Sequence, residues 1–308
     1  MRNDGFFRVG AATPAIRVAD CKQNAQAVEQ LLREAAERGV QAVVFPELCL
    51  TGYTCGDLFL HRTLTDAAER ELAGLMARTA SLPVLAAVGV PVAANGALYN
   101  CAAVFCGGKL LGLSAKSCVP NYGEFYEARH FTPAPECMEV SYAGFSVPLG
   151  SSILYRPEGW EDCAVGVEIC EDLWTPEPPS AKLALAGATV LLNLSASDEV
   201  IGKAAYRREL VRGQSARLLC AYVYADAGEG ESTTDLVFSG HNLIAENGTL
   251  LAESAPFTTG LTEADVDLSR MEGERRRVTT WHGGKYRAAR EVSFALPAVP
   301  FALRRRVD

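Results

Sequence analysis

The feature that most constrains this chain is its repeated alternation of short, largely apolar segments with amphipathic ones. Residues 6–12 and 40–45 are strand-length runs, apolar or β-branched except for Arg8 and Gln41. Between them Ala25, Val28, Leu31, Leu32, Ala35 and Ala36 recur at helical spacing. Asp20 stands ahead of them as a cap, and Gly39 follows as a left-handed stop. The alternation continues with a helix over 66–80, a strand over 84–90, and strands over 98–105 and 110–115 joined by Gly107 and Gly108. It then predicts a strand over 163–169, a helix over 179–186, a strand over 189–194, a helix over 203–219 and a strand over 220–225. Segments 236–245 and 249–253 flank Asn247 and Gly248, a strong hairpin signal. Strands without a polar face must be covered on both sides, so the pattern predicts an α/β layered fold around largely buried sheets. It places one domain over 1–260 and a C-terminal extension over 261–308. The arginines at 275–277 and 304–306 in that extension read as solvated surface or a subunit contact.

Composition narrows the partners. Of 308 residues, 49% are hydrophobic and 21% charged, enough to bury a core without disulfide or metal staples. The net charge of −8 argues against nonspecific binding to nucleic acid or an anionic membrane. No apolar run has the length of a membrane span, and the N-terminus carries no signal-peptide pattern. Ten cysteines are scattered with no C-x-x-C pair, which predicts reduced thiols in a cytoplasmic protein and no metal site.

In α/β sheets, residues just past the C-terminal ends of strands commonly form the active site. Three such ends carry reactive groups. Segment 40–45 runs into Pro46 and Glu47, segment 110–115 into Lys116, and segment 163–169 into Cys170. A carboxylate can take a proton from a thiol and return it to a leaving group. An ammonium lowers a thiol's pKa, and with a helix N-terminal N–H it can hold an oxyanion. The trio suits acyl transfer from an amide or nitrile through a thioester. The four histidines lie in loops or near hairpins, so a Cys–His pair is disfavoured.

Three segments carry a family resemblance. They are Pro46-Glu47-Leu48-Cys49-Leu50-Thr51-Gly52-Tyr53, Lys116-Ser117-Cys118-Val119-Pro120-Asn121-Tyr122-Gly123-Glu124-Phe125-Tyr126-Glu127, and Val165-Gly166-Val167-Glu168-Ile169-Cys170-Glu171-Asp172-Leu173-Trp174. In this order they resemble the signature segments of the nitrilase, or carbon–nitrogen hydrolase, superfamily. The details around Gly56-Asp57-Leu58-Phe59, Asn193-Leu194-Ser195-Ala196-Ser197 and Gly228 to Asp235 are most similar to the glutaminase domains of glutamine-dependent NAD+ synthetases. The resemblance implies a four-layer α-β-β-α sandwich that pairs with another copy as a homo-oligomer.

It also implies roles. Glu47 would be the base, Lys116 the oxyanion stabiliser, Cys170 the nucleophile, and Glu124 the second glutamate that helps place the base and the water. Tyr122, Phe125 and Trp174 would line a pocket for glutamine, Glu171 would meet its α-ammonium, and Ser197 and Lys203 its α-carboxylate. A zwitterion wants one anion and one cation at fixed spacing, which fits this assignment. No cofactor is implied for the amide hydrolysis itself. ATP and Mg would belong to a synthetase domain or subunit, whose Ser-Gly-Gly-x-Asp-Ser loop is absent here. A free-standing amidase for another small linear amide, and a non-catalytic docking module, are the competing readings.

Overall fold

The computed structural model describes residues 2–282 and 289–305. In chain order the regular elements are β1 (Phe6–Thr13), α1 (Cys21–Glu37), β2 (Ala42–Val44), α2 (Arg62–Arg78), β3 (Leu85–Ala94), β4 (Ala97–Cys106) and β5 (Lys109–Ala115). There follow β6 (Met138–Tyr142), β7 (Phe145–Gly150), β8 (Ile153–Pro157), β9 (Val165–Ile169), α3 (Glu171–Trp174), α4 (Pro179–Leu185), β10 (Val190–Ser195) and α5 (Lys203–Leu218). The chain continues through β11 (Ala221–Asp226), β12 (Leu243–Glu246), β13 (Thr249–Glu253), β14 (Gly260–Asp267), α6 (Leu268–Arg277) and β15 (Arg290–Phe294).

The strands form two sheets. One has the order β14-β1-β2-β3-β4-β5-β7-β6 and the other β13-β12-β11-β10-β9-β8-β15. Side-chain parity explains why the central strands read as unbroken apolar runs. Phe7, Val9 and Ala11 of β1 pack between the sheets with Val165, Val167 and Ile169 of β9 and Val190, Leu192 and Leu194 of β10. The other face of the first sheet packs on Val28 and Leu32 of α1 and Leu72 and Leu75 of α2. The other face of the second sheet buries Leu191 and Tyr222 against Leu183 of α4 and Val211 of α5. The result is the four-layer α-β-β-α sandwich that the resemblance implies. Among the described residues no helix is long and apolar enough to cross a membrane. All ten cysteines are free.

Most local signals act as the sequence predicts. The Asp20 carboxylate accepts the Gln23 N–H and caps α1, and Gly39 lies at φ +73° just past its end. Asn247 and Gly248 close their hairpin at φ 45° and 83°, and Gly107 and Gly108 theirs at 58° and 74°. Helix α2 starts at Arg62, four residues before the expected start.

Three expectations need correction. Of the strand expected over 236–245, only its last three residues fall in a named strand, Leu243–Glu246; Phe238 makes one isolated bridge to Asp198. The boundary expected at 260 falls at the first residue of β14, which pairs antiparallel along all of β1, while β15 pairs parallel with β8. Residues after 260 therefore supply one edge strand to each sheet. Nor is Arg275 solvated: its guanidinium donates to the carbonyls of Ala188, Leu218 and Leu219 and lies 4.6 Å over the Trp281 ring. Arg304 pairs with Glu263, and Arg305 donates to Glu246 at 2.6 Å. Arg306 lies outside the described residues.

One glycine decides how closely β3 can approach the loop after β2. A Cβ on Gly89 would stand 2.2 Å from the Leu48 nitrogen and 2.4 Å from the Pro46 oxygen. Both are backbone atoms of the turn that carries Glu47. Gly89→Ala is expected to cost about 1–3 kcal/mol or more, the range for overpacking a rigid core. A urea unfolding midpoint equal to that of the parent chain would contradict this packing.

Candidate active site

Four strand ends from both sheets meet at one place. Glu47 follows β2, Lys116 follows β5, Cys170 follows β9 and Ala196 follows β10. The Glu47 carboxylate is fully enclosed. Its Oε1 accepts Lys116 Nζ at 2.6 Å and Asn100 Nδ2 at 2.6 Å, and its Oε2 accepts the Ala196 N–H at 3.0 Å. Lys116 Nζ also donates to both oxygens of Glu127, at 2.7 and 2.9 Å. Tyr53 Oη donates to Glu127 Oε1 at 2.8 Å. One ammonium thus sits between two buried carboxylates.

Three such charges sum to an excess of one negative charge in a buried place, so the cluster favours an added proton. Burial pushes the Glu47 carboxyl above the usual carboxylate range; Lys116 pulls it back and Glu127 adds to the rise. The same two carboxylates hold the Lys116 ammonium charged against the opposing effect of its burial.

Cys170 is held in a backbone conformation that an L residue seldom adopts, φ 43° and ψ −99°. Its N–H donates to Leu194 O at 2.9 Å, and α3 starts at the next residue. Burial pushes the thiol well up, and Glu47 raises it further; Lys116 and the Ala196 N–H act in the opposite direction. The resting sulfur is therefore a thiol that needs a base. The turn is braced by Asp172, whose carboxylate accepts the N–H groups of Ile169 at 3.0 Å, Ser117 at 3.0 Å and Cys118 at 2.8 Å. One buried side chain ties the cysteine turn to the loop after Lys116. Burial lifts it to about 6 despite those three donors.

The pocket residues expected from sequence converge in part. Tyr122 Oη donates to Glu171 at 2.8 Å, and the Tyr122 and Phe125 rings meet edge to face at 6.2 Å. Lys203 Nζ lies 5.3 Å over the Trp174 ring and 5.8 Å from the Phe125 ring centre. Glu171, Tyr122, Phe125, Trp174 and Lys203 therefore form one contact cluster. Lys203 is also paired with Asp198, and the Ser197 hydroxyl accepts from Arg207 at 3.3 Å.

Glu124 is exposed, and the carboxylates that Lys116 Nζ meets are those of Glu47 and Glu127. Glu124 lines the rim of a cavity of about 190 Å³ beside Tyr53, Tyr126 and Glu127. The glutamate on Lys116 is Glu127, because the Glu127 N–H bonds Pro120 O at 3.1 Å and folds the chain back into the interior. Sequence reasoning also missed Asn100, Asp172 and Arg207. Asn100 had a signal, as a lone amide inside the apolar run of β4.

Comparison with known proteins gives the family and the fold. The carbon-nitrogen hydrolase family model matches residues 8–276. The glutamine-dependent NAD(+) synthetase of Mycobacterium tuberculosis (strain H37Rv) is 43% identical over 302 residues, covering 97% of this chain and 44% of that protein. The chain thus spans less than half the length of the curated relatives it matches. The crystal structure of a glutamine-dependent NAD(+) synthetase from Cytophaga hutchinsonii is 32% identical, with a TM-score of 0.76, covering 84% of this chain and 43% of that one. Saccharomyces cerevisiae Nit3, of the nitrilase superfamily, shares the fold at 17% identity and a TM-score of 0.69, over 90% of this chain and 95% of its own. With its signature segments, its two-sheet sandwich and its Glu47, Lys116 and Cys170 all in place, the chain belongs to the carbon–nitrogen hydrolase family.

Proposed function

We propose that this chain hydrolyses the side-chain amide of glutamine and releases ammonia for a synthetase domain or subunit that amidates nicotinic acid adenine dinucleotide. The observation that carries the reaction is the buried Glu47–Lys116–Glu127 cluster beside a thiol held in a strained turn. The substrate assignment rests on the cluster of Tyr122, Phe125, Glu171, Trp174 and Lys203, and on the likeness to glutamine-dependent NAD(+) synthetases. Glu171 offers an anion and Lys203 a cation, as a free amino acid requires. Tyr122 hydrogen-bonds Glu171 and Asp198 pairs with Lys203, so a bound glutamine competes with these contacts.

The reaction then runs in two halves. Glu47 takes the thiol proton while Cys170 Sγ bonds the carboxamide carbon. Lys116 and the Glu171 N–H hold the oxyanion. All three Lys116 hydrogens lie on carboxylate oxygens at rest, so one turns from Glu127 to the developing charge. Glu47 gives its proton to the departing nitrogen, the C–N bond breaks, and ammonia leaves with a glutamyl thioester behind. Glu47 next takes a proton from water, whose oxygen attacks the thioester carbon; breaking the C–S bond and returning the proton to sulfur restores Cys170. The hydrolysis needs no cofactor; ATP and Mg serve the synthetase reaction. Copies of the chain pair as a homo-oligomer in the cytoplasm.

Incubation of the purified chain with glutamine is expected to give glutamate, and Cys170→Ala to abolish it. Another small linear amide hydrolysed much faster than glutamine would contradict the substrate assignment. Because Lys116 leans on Glu127 and not on Glu124, Glu127→Gln should lower kcat by about 10²-fold or more, the scale of losing a group that acts on the reacting centre. Glu124→Gln should stay within about threefold of the parent, as an exposed side chain with no contact to Lys116. Equal losses in both would overturn that distinction.

A further inference from the structure

Behind the cysteine and its base lies a second buried ionic group that the reaction scheme does not use. Arg207 of α5 is wholly buried. Its Nη2 donates to Ser197 Oγ at 3.3 Å and to the Asp198 carbonyl at 3.1 Å, and its Nη1 donates to Glu199 Oε2 at 3.0 Å. It thus grips three consecutive residues. Asp226 at 3.7 Å and His241 Nδ1 at 3.0 Å close the guanidinium in from the sheet side. Asp226 accepts the Ser197 N–H at 2.8 Å, and Glu199 accepts Ser239 Oγ at 2.7 Å.

The gripped segment starts one residue past the N–H that meets the chemistry. Ala196 donates to Glu47 Oε2, and the same N–H eases deprotonation of Cys170. The carbonyl of Ser195, one residue earlier, accepts the Glu47 N–H at 3.3 Å. Nothing else among these contacts ties residues 197–199 to a helix except Lys203, one turn before Arg207, which holds the Asp198 side chain.

We propose that Arg207 is a positioning residue: it acts through residues 197–199 to aim the Ala196 N–H at Glu47 and Cys170, without touching the substrate. This inference rests on the acyl-transfer reading of Glu47 and Cys170, but not on glutamine being the amide. An N–H donated to the ionised carboxylate favours that form, so a wandering Ala196 raises the pH at which Glu47 becomes a base. The charged and titratable groups facing Glu47 are Lys116, Glu127, Tyr53 and Cys170, and the substitutions below leave all four in place.

The test uses the full chain and follows alkylation of Cys170 by iodoacetamide, read as the modified Cys170 peptide by mass spectrometry from pH 5 to 9. This reports on base and thiol whether or not glutamine is the substrate. Failure to hydrolyse glutamine therefore counts against the proposed function alone. Arg207→Met is expected to raise the midpoint of the alkylation profile by about one pH unit, a tenfold change in proton affinity. Arg207→Lys, which keeps the charge but not the fork, should recover part of that shift. A folded Arg207→Met chain with the parent midpoint overturns the proposal. Should Arg207→Met fail to fold, Glu199→Gln decides: it removes one charged partner from the edge of the network, and an upward shift supports the proposal while an unchanged midpoint overturns it.

Discussion

Everything at this site depends on one buried ammonium shared by two buried carboxylates. Lys116 with Glu47 alone would be a neutral buried pair. Burial raises the affinity of Glu47 for a proton, and Glu127, the second carboxylate on the same ammonium, raises it further. That affinity is what the chemistry needs, since burial keeps the neighbouring sulfur protonated until a base takes its hydrogen. A histidine in this place would supply its own titration near neutrality; here a carboxylate reaches that range through burial and a like-charged neighbour.

Such a cluster is costly to bury, so the fold must hold its parts rigidly. Both sheets contribute: β2 and β5 of the first carry Glu47 and Lys116, while β9 and β10 of the second carry Cys170 and the Ala196 amide. The apolar layer between the sheets fixes the two halves against each other. At the site itself polar braces take over. Asp172 joins the cysteine turn to the lysine loop, Gly89 lets β3 press on the glutamate turn, and Arg207 holds the segment after β10.

Much of this was legible from sequence, for a physical reason. Groups at strand ends are announced by the strands themselves, so Glu47, Lys116 and Cys170 could be named from apolar runs and the residues just past them. Buried strands on both sheets read as continuous apolar runs because both faces are covered. Loop residues gave no such guide. Glu124 and Glu127 stand three apart in one loop, and only the fold-back at Pro120 decides which one turns inward. Asp172 and Arg207 are single charges in a short helix and a long one, and only the fold brings Asp172 to the N–H groups of Ser117 and Cys118 and Arg207 to His241. Strands β14 and β15 were missed because edge strands are half exposed and carry no continuous apolar run.

The central claim is that Cys170, served by this cluster, forms the covalent intermediate. Mixing the chain with glutamine, quenching with acid on the millisecond scale, and mapping the adduct by mass spectrometry tests it most directly. The account predicts a transient glutamyl thioester on the Cys170 peptide that decays as glutamate accumulates. Glutamate formed without any adduct on Cys170, or with the adduct on another of the ten cysteines, would contradict it.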